Sequence, residues 1–596
     1  MSVSPEVHYN IVPSSPEAHL FTITCTVATP NAEGQIFSMP AWIPGSYMIR
    51  DFARNIVSMQ ASSDGKGISI EQLDKQTWCC APCSGPLTMV VEVYAWDLSV
   101  RSAHLDQTHG YFNGTSVFLG VQGQEHNPCR INILQPAGET YQGWRVATAL
   151  SRDSAELYGF GSYKAENYDE LIDHPVEMGV FSLATFEVAG VPHDIAITGK
   201  HDADMDRLCR DLKIICEHHV SLYGELPDME RYVFQVMAVG DGYGGLEHRA
   251  STSLLCSRDD LPRLGKDEVN DKYRAFLGLC SHEYFHTWNI KRIKPAVFTP
   301  YELSQETYTR LMWMFEGITS YYDDLSLVRT GLISNESYLE LLGQNITRVI
   351  RGSGRLKQTV WDSSFYTWTK FYKQDENAPN AIVSYYVKGA LIALGLDLTI
   401  REKTGAAHSL DDVMRYLWTQ YGKQGVGVEE KAIEREISEL VNVDLQAFFD
   451  QCLRSTEELP LQDWLATVGV DMQLYPTQTN QDKGGKLPEE IEVKCSLGAR
   501  FESKPEGVCL THVFDHGAAQ QCGLSAGDVI IAMNGIRVDA GSLEQGIAEY
   551  KAGESIDIHA FRRDELMTFY LKTIKPQNDT CALKLEGEVS SWLSRH

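Results

Sequence analysis

Hydrophobic and polar positions follow three successive regimes along the chain. Residues 1 to about 175 carry short runs of β-branched and aromatic residues, such as 8–12, 20–27 and 89–95, broken by Pro, Ser and Asn clusters. That pattern predicts successive short strands and an N-terminal β-sandwich domain. Strand-like runs at 193–197 and 232–239 then flank an amphipathic helix around 203–222. Beyond them the period becomes helical, with helices expected over 267–288, 304–329, 334–351, 384–402 and 409–421. Ser409, with Asp412 three residues on, fits a capped helix start. A Thr-, Gln-, Asn-, Asp-, Lys- and Gly-rich stretch at 476–487 reads as a linker. A small β-rich module over 488–575 and a tail at 576–596 follow it. Sheet first and helices later make a multidomain α+β chain, with the middle domain running over 176–475.

Two of the expected helices carry chemistry. Tyr273, Phe276, Leu277, Cys280 and Tyr284 form one apolar stripe. At about 100° per residue, His282 and His286 share the opposite face, beside the small Ala275 and Gly278. Two histidines four apart on a helix can hold zinc, and Glu283 between them can take a proton from a zinc-bound water. Core histidines would sit in the stripe, and these do not. In the next helix Leu311, Phe315, Ile318, Tyr322 and Leu325 form the stripe, with Glu316 to one side. Glu316 is either a solvated carboxylate or a third metal ligand, and its aromatic neighbours Trp313, Phe315, Tyr321 and Tyr322 favour the ligand. Three ligands leave a fourth position open for water. Asp323, two turns on, either orients a ligating histidine or is solvated.

Composition narrows the partners. The 596 residues are 43% hydrophobic and 22% charged, ordinary for a globular protein, but the formal net charge is −28. Such an excess disfavours nucleic acid and anionic membranes as partners. No run of 18 apolar residues is present, and the first residues lack the basic region and apolar core of a signal peptide. The 14 cysteines are scattered and point to a reducing, cytoplasmic compartment. Cys79, Cys80 and Cys83 cluster, and read as reduced thiols in a turn. The tract Pro40–Asp51 interrupts the strand pattern with a Pro-Gly-Ser turn; it is a structural turn or a loop reaching into an active site.

The segments 282–289 (His-Glu-Tyr-Phe-His-Thr-Trp-Asn), 315–317 (Phe-Glu-Gly) and 40–47 (Pro-Ala-Trp-Ile-Pro-Gly-Ser-Tyr) together resemble the glycyl aminopeptidase family, over nearly the whole chain. These are gluzincin zinc metallopeptidases with a C-terminal PDZ domain, related to aminopeptidase N. The resemblance implies a thermolysin-like catalytic domain with a helical part, and Zn²⁺ held by His282, His286 and Glu316. It implies Glu283 as the general base. The segment 244–248 (Gly-Gly-Leu-Glu-His) is similar to the Gly-Ala-Met-Glu-Asn strand of the aminopeptidase N relatives. It places Glu247 on the substrate's α-amine, while His248 departs from the pattern. Physically, Gly244 and Gly245 would let a peptide pair with the strand edge, with Glu247 capping its ammonium. The segment 385–389 (Tyr-Tyr-Val-Lys-Gly) resembles their Tyr-Glu-Lys-Gly motif and implies Tyr386 as the oxyanion donor, with Tyr385 as the alternative. Adjacent tyrosines on a helix would point about 100° apart, so that only one could face the metal. Residues 496–501 (Ser-Leu-Gly-Ala-Arg-Phe) stand where a PDZ carboxylate-binding loop would be, and 523–535 is the more specific PDZ-like stretch. The implied activity is removal of small N-terminal residues, such as glycine, from peptides with a free N-terminus. A peptide or C-terminal tail would be the ligand of the PDZ domain. The competing readings are a PDZ-assisted zinc endopeptidase and a non-catalytic peptide-binding scaffold.

Overall fold

In the computed structural model, residues 6–587 and 592–594 are described. Residues 1–5, where a signal peptide would begin, and part of the expected tail lie outside them. The chain divides into two compact units: residues 1–307 with 414–428, and residues 308–413 with 429–596. The division falls inside the span expected as one catalytic domain.

The first unit opens on a β-rich domain. Strand Leu20–Val27 buries every second side chain, Phe21, Ile23, Cys25 and Val27, and pairs antiparallel with Val7–Ser15 and with Leu87–Tyr94. These strands form the middle of an eight-stranded sheet, accompanied by two four-stranded sheets. Tyr9 and Ile11, inward residues of the large sheet, share one core with Phe112, Phe118 and Val176.

A five-stranded sheet follows, of β1 (Phe181–Val188), β2 (Val191–Thr198), β3 (Tyr232–Val239), β4 (Tyr243–Glu247) and β5 (Ser251–Ser257). Its order is β1-β2-β3-β5-β4, so the Gly-Gly strand β4 lies at the edge. β4 runs antiparallel to β5, with Gly245 opposite Leu254 and Glu247 opposite Thr252. Helix α1 (Met205–Tyr223) starts on an Asp204 cap and ends on Gly224. Helix α2 (Asp271–Phe285) starts where the Asn270 side chain accepts the Tyr273 amide at 2.9 Å. All five stripe residues of α2 are buried, and so are Leu279, Ser281, Glu283 and Phe285, so this helix is covered on nearly every side.

The second unit is helical and then β. Residues 304–312, expected as helix, are almost entirely irregular; helical structure begins with a π-turn over Trp313–Gly317 and continues as α3 (Ile318–Arg329). Then come α4 (Asn335–Arg351) and α5 (Val387–Thr404). Arg329 bridges Asp411 at 3.0 Å, Arg401 bonds Asp397 at 3.1 Å, and the Tyr321 and Tyr322 hydroxyls donate to Asp397 and Asp411. This buried network ties α3 and α5 to Asp411.

The C-terminal module builds its own core from Leu510, Ile530, Leu543, Ile556 and Leu571. Its strands include β6 (Ala499–Lys504) and β7 (Gly507–Val513), and α6 (Ala540–Ala548) caps it with an Asp539–Ser542 box. Asn380 fixes the module to the helices, donating to the Val513 carbonyl at 2.7 Å and accepting the Asp515 amide at 2.9 Å. Residues expected in a C-terminal tail are integral instead. Thr580–Leu585 pairs antiparallel with Val470–Tyr475, and buried Trp592 donates to the Tyr321 hydroxyl at 2.9 Å.

Candidate active site

The helix α2 delivers its chemistry to the edge strand β4. Gly245 of β4 lies directly beneath Glu283: a Cβ there would sit 2.0 Å from the Glu283 Oε1. Only glycine lets that carboxylate lie against the strand. Ligand atoms of Glu247, Glu283 and His286 lie within 4.8 Å of one another, and all three residues are buried. Two carboxylates this close, in a dehydrated setting, call for positive charge beside them.

The histidines converge as the helical spacing requires. Their Nε2 atoms stand 3.1 Å apart, with the rings nearly perpendicular. His286 Nδ1 faces the Asn289 carbonyl at 2.8 Å, so it carries the proton and donates. That fixes the tautomer and leaves the Nε2 lone pair on the side of His282, the arrangement a metal-ligating histidine needs. Tyr284, between them in sequence, points the other way. Its hydroxyl donates at 2.9 Å to His193 Nε2, whose Nδ1 donates to the Val191 carbonyl.

The Pro-Gly-Ser turn reaches this site. Gly45, at φ +98°, presses against Glu247, and a Cβ on it would meet the carboxylate at 2.6 Å. The tract is pinned by the Trp42 indole donating to the Glu302 carbonyl at 2.9 Å, and by Tyr47 stacking on Phe298. Residues 40–51 thus reach the carboxylate of Glu247.

Two features carry no motif in the sequence. Arg101 reaches the open edge of β4, its Nη2 3.5 Å from the Gly245 carbonyl. Behind β4, buried Asp173 accepts from Lys291 Nζ at 2.6 Å and from His248 Nδ1 at 3.2 Å. Burial alone would raise the Asp173 pKa, but Lys291, His248 and Arg249 hold it well below the usual carboxylate range. His248, the departure from the relatives' pattern, thus ties the end of β4 to the loop that follows His286. Asp173 sits in an unremarkable Leu-Ile-Asp-His-Pro stretch, so only its three-dimensional partners reveal it.

In the second unit Glu316 is 2% exposed, which removes the solvated reading. It lies in the π-turn, whose widened spacing ends with the Ile318 amide bonded to the Trp313 carbonyl. Gly317 lets this turn touch α5, with Gly389 opposite it. Asp323 is half-buried and accepts the Asp324 amide at 2.6 Å.

Tyr385 and Tyr386 precede α5 rather than lying within it, and their rings stack 4.7 Å apart instead of diverging. Tyr385 is fully buried; burial, then Tyr372 and Glu316, push its phenol pKa far up. Tyr386 is half-buried, with its hydroxyl 3.2 Å from that of Tyr372. A substrate can reach Tyr386 more readily than Tyr385. Cys79 and Cys83 are partly exposed and Cys80 is buried, all as free thiols.

The sequence profile of the Peptidase M61 N-terminal domain matches residues 8–180, and that of the M61 glycyl aminopeptidase matches residues 275–392. Among solved structures, an aminopeptidase N family protein from Idiomarina loihiensis is 42% identical, with a TM-score of 0.96, over 99% of this chain and 100% of its own. An M1 zinc metallopeptidase from Deinococcus radiodurans is 11% identical, with a TM-score of 0.47, over 77% of this chain and 95% of its own. No curated protein matches the chain.

Proposed function

The chain belongs to the M61 glycyl aminopeptidase family of metallopeptidases, and from that premise we propose that it is a zinc-dependent aminopeptidase cutting small residues, such as glycine, from free N-termini. The observation that carries this reading is the convergence of Glu247, Glu283 and His286 on the glycine edge strand. His282 and His286, with paired Nε2 atoms and a fixed tautomer on His286, fit a zinc ion, and buried Glu316 is the third ligand in this proposal. When bound, zinc supplies Lewis acidity toward water and the scissile carbonyl.

The chain's own residues do the rest. Gly244 and Gly245 accept an extended peptide along the open edge of β4. Glu247, backed by the Gly45 turn, binds the substrate ammonium and so sets the cut one residue in. Glu283 takes a proton from water and returns it to the leaving amine; its fixed place over Gly245 keeps that proton path short. Tyr386 donates a hydrogen bond to the developing oxyanion. The middle of the chain is thermolysin-like in this reading. The C-terminal module is of PDZ type, supported by a cavity of about 120 Å³ that borders the 496–501 loop and α6 and is walled in part by linker residues 477–480. Asn480 of the linker bonds there to the Phe501 carbonyl at 3.3 Å. Fourteen free thiols fit a cytoplasmic setting.

The test is a panel of glycyl and alanyl substrates with free and N-acetylated amines, run beside a zinc assay on the purified protein. We expect about one zinc per chain, and cleavage confined to free amines. Losing one partner of a desolvated charge pair costs on the order of 2–5 kcal/mol. Glu247→Ala should therefore narrow the gap between free and acetylated substrates, chiefly by slowing the free ones. Equal cleavage of blocked and free peptides by the unaltered enzyme would instead establish the endopeptidase.

A further inference from the structure

The open edge of β4 carries a definite set of unpaired backbone groups. In the β4–β5 hairpin the His248 amide donates to the Ser251 carbonyl at 2.9 Å, and Gly245 stands opposite Leu254. Antiparallel pairing alternates: one residue turns its N–H and C=O toward the partner strand, and the next turns them away. Counting back from His248, Leu246 and Gly244 face β5, while Glu247 and Gly245 face the open side. Ser257 agrees with this sense, since its hydroxyl accepts the Gly242 amide at 3.2 Å and reaches the Gly242 carbonyl at 3.4 Å from β5. A peptide added at the edge therefore meets the N–H and C=O of Gly245.

Arg101 stands at that place. Its Nη2 is 3.5 Å from the outward Gly245 carbonyl, and its Nη1 is 3.7 Å from where a Gly244 Cβ would lie. The guanidinium thus spans the backbone between Gly244 and Gly245. A surface arginine with no acid beside it is ordinary; Arg101 differs in being half-buried against a strand edge, on a loop that is held. The preceding Val100 is buried, and its carbonyl accepts the Asn113 side-chain amide at 2.9 Å. The Tyr111 hydroxyl stands 3.2 Å from that carbonyl and 2.7 Å from Ser253 Oγ of β5. The loop is tied in this way to the sheet that Arg101 reaches, and all these residues belong to the first unit.

With the substrate ammonium on Glu247, a peptide runs along the edge from Glu247 toward Gly244, antiparallel to β4. The residue after the cut then lies opposite Gly245, with its N–H toward the Gly245 carbonyl and its C=O toward the Gly245 N–H. The scissile amide falls where the Glu283 carboxylate lies over Gly245. The group that follows comes against the guanidinium. In a longer peptide that group is another amide N–H, and a guanidinium has only donors to offer it. In a dipeptide it is the second carboxylate oxygen, which accepts a charge-assisted bond. We propose that Arg101 binds the terminal carboxylate of a two-residue substrate and so makes the enzyme select dipeptides. This rests on the aminopeptidase reading, through the place of the ammonium on Glu247.

The test compares glycyl-leucine, its C-terminal amide and glycyl-leucyl-glycine on the zinc-loaded full chain at low salt. For the unaltered enzyme we expect kcat/KM for the dipeptide to exceed that for either of the others by about 10-fold, carried mostly by KM. Arg101→Gln should bring these ratios toward one by slowing the dipeptide and leaving the other two nearly as they were. Arg101→Lys, which keeps the charge without the fork, should keep part of the preference. Ratios near one in the unaltered enzyme, ratios that survive Arg101→Gln, or an equal loss on all three substrates with a lowered urea midpoint would overturn the carboxylate site alone. Failure of the unaltered enzyme to cleave any of the three would overturn the aminopeptidase reading and this inference with it.

Discussion

In the proposed mechanism Glu283 separates proton transfer from metal binding within one turn of helix. It flanks the two histidines in sequence, yet its carboxylate lies over Gly245 of the neighbouring strand. Glu283→Gln keeps the shape and loses the basic site, so hydrolysis should fall by at least about 100-fold while zinc content stays. His282→Ala and Glu316→Ala should do the reverse and lower metal content first; full zinc in either, measured by atomic absorption, would mean a different ligand set. The tyrosine pair sets a related choice. Tyr386→Phe should slow turnover and change KM little, because its hydrogen bond forms to the developing oxyanion. Should Tyr385→Phe be the crippled variant, the donor is the buried ring beside it.

At the scale of elements, the strand β4 and the helix α2 act as one device. Gly245→Ala would drive a methyl group into Glu283, with contacts of 2.0 Å to Oε1 and 2.5 Å to Cδ. The struck atoms are the far end of a flexible side chain, which can swing aside cheaply. The fold should therefore survive within about 1 kcal/mol, a typical cost of a tolerated substitution, while activity drops at least tenfold because the base has left its place. Parallel urea unfolding and kcat/KM measurements check this, and a variant that loses both together would mean that Gly245 serves packing. Much of the device was legible beforehand. Helical spacing put His282 and His286 on one face, and a Gly-Gly pair before Glu247 announced an edge open to a peptide. The stripe argument for α2 was incomplete, because a helix covered on nearly all sides has no single buried face to read. The helix expected from residue 304 begins only at the Trp313–Gly317 turn, and the two tyrosines stack ahead of α5. Such boundaries are set by packing partners distant in sequence, which local periodicity does not record.

Across the whole molecule, what the sequence hid is polar and long-range. Asp173 meets Lys291 118 residues away, and Arg101 meets Gly245 144 residues away. No pattern along the chain encodes such pairs. Buried His193 and His219 of the first unit belong to the same class, and they weaken the fold toward acid. Burial lowers His193 from 6.5 to about 4 and pushes His219 well below its usual value. His193 is held neutral by donating to Val191 and accepting from Tyr284, which lies between the two histidines proposed as metal ligands. Between about pH 4 and 6.5 the unfolded chain therefore binds more protons at these sites than the folded one does, so stability rises with pH across that window and is lost as pH falls through it. Asp173, whose folded pKa is depressed, acts lower: its contribution is present above about pH 4 and vanishes only below that. The urea midpoint should accordingly fall from pH 7 to pH 5. In His193→Gln, which keeps one donor and one acceptor, the dependence should flatten by up to about 1.4 kcal/mol per pH unit, the value of one proton. A midpoint that stays level down to pH 5 would overturn the histidine account, whereas an unchanged slope in the variant would place the acid sensitivity with the proposed metal ligands, and adding zinc at pH 5 would then restore the midpoint where the histidine account says it should not.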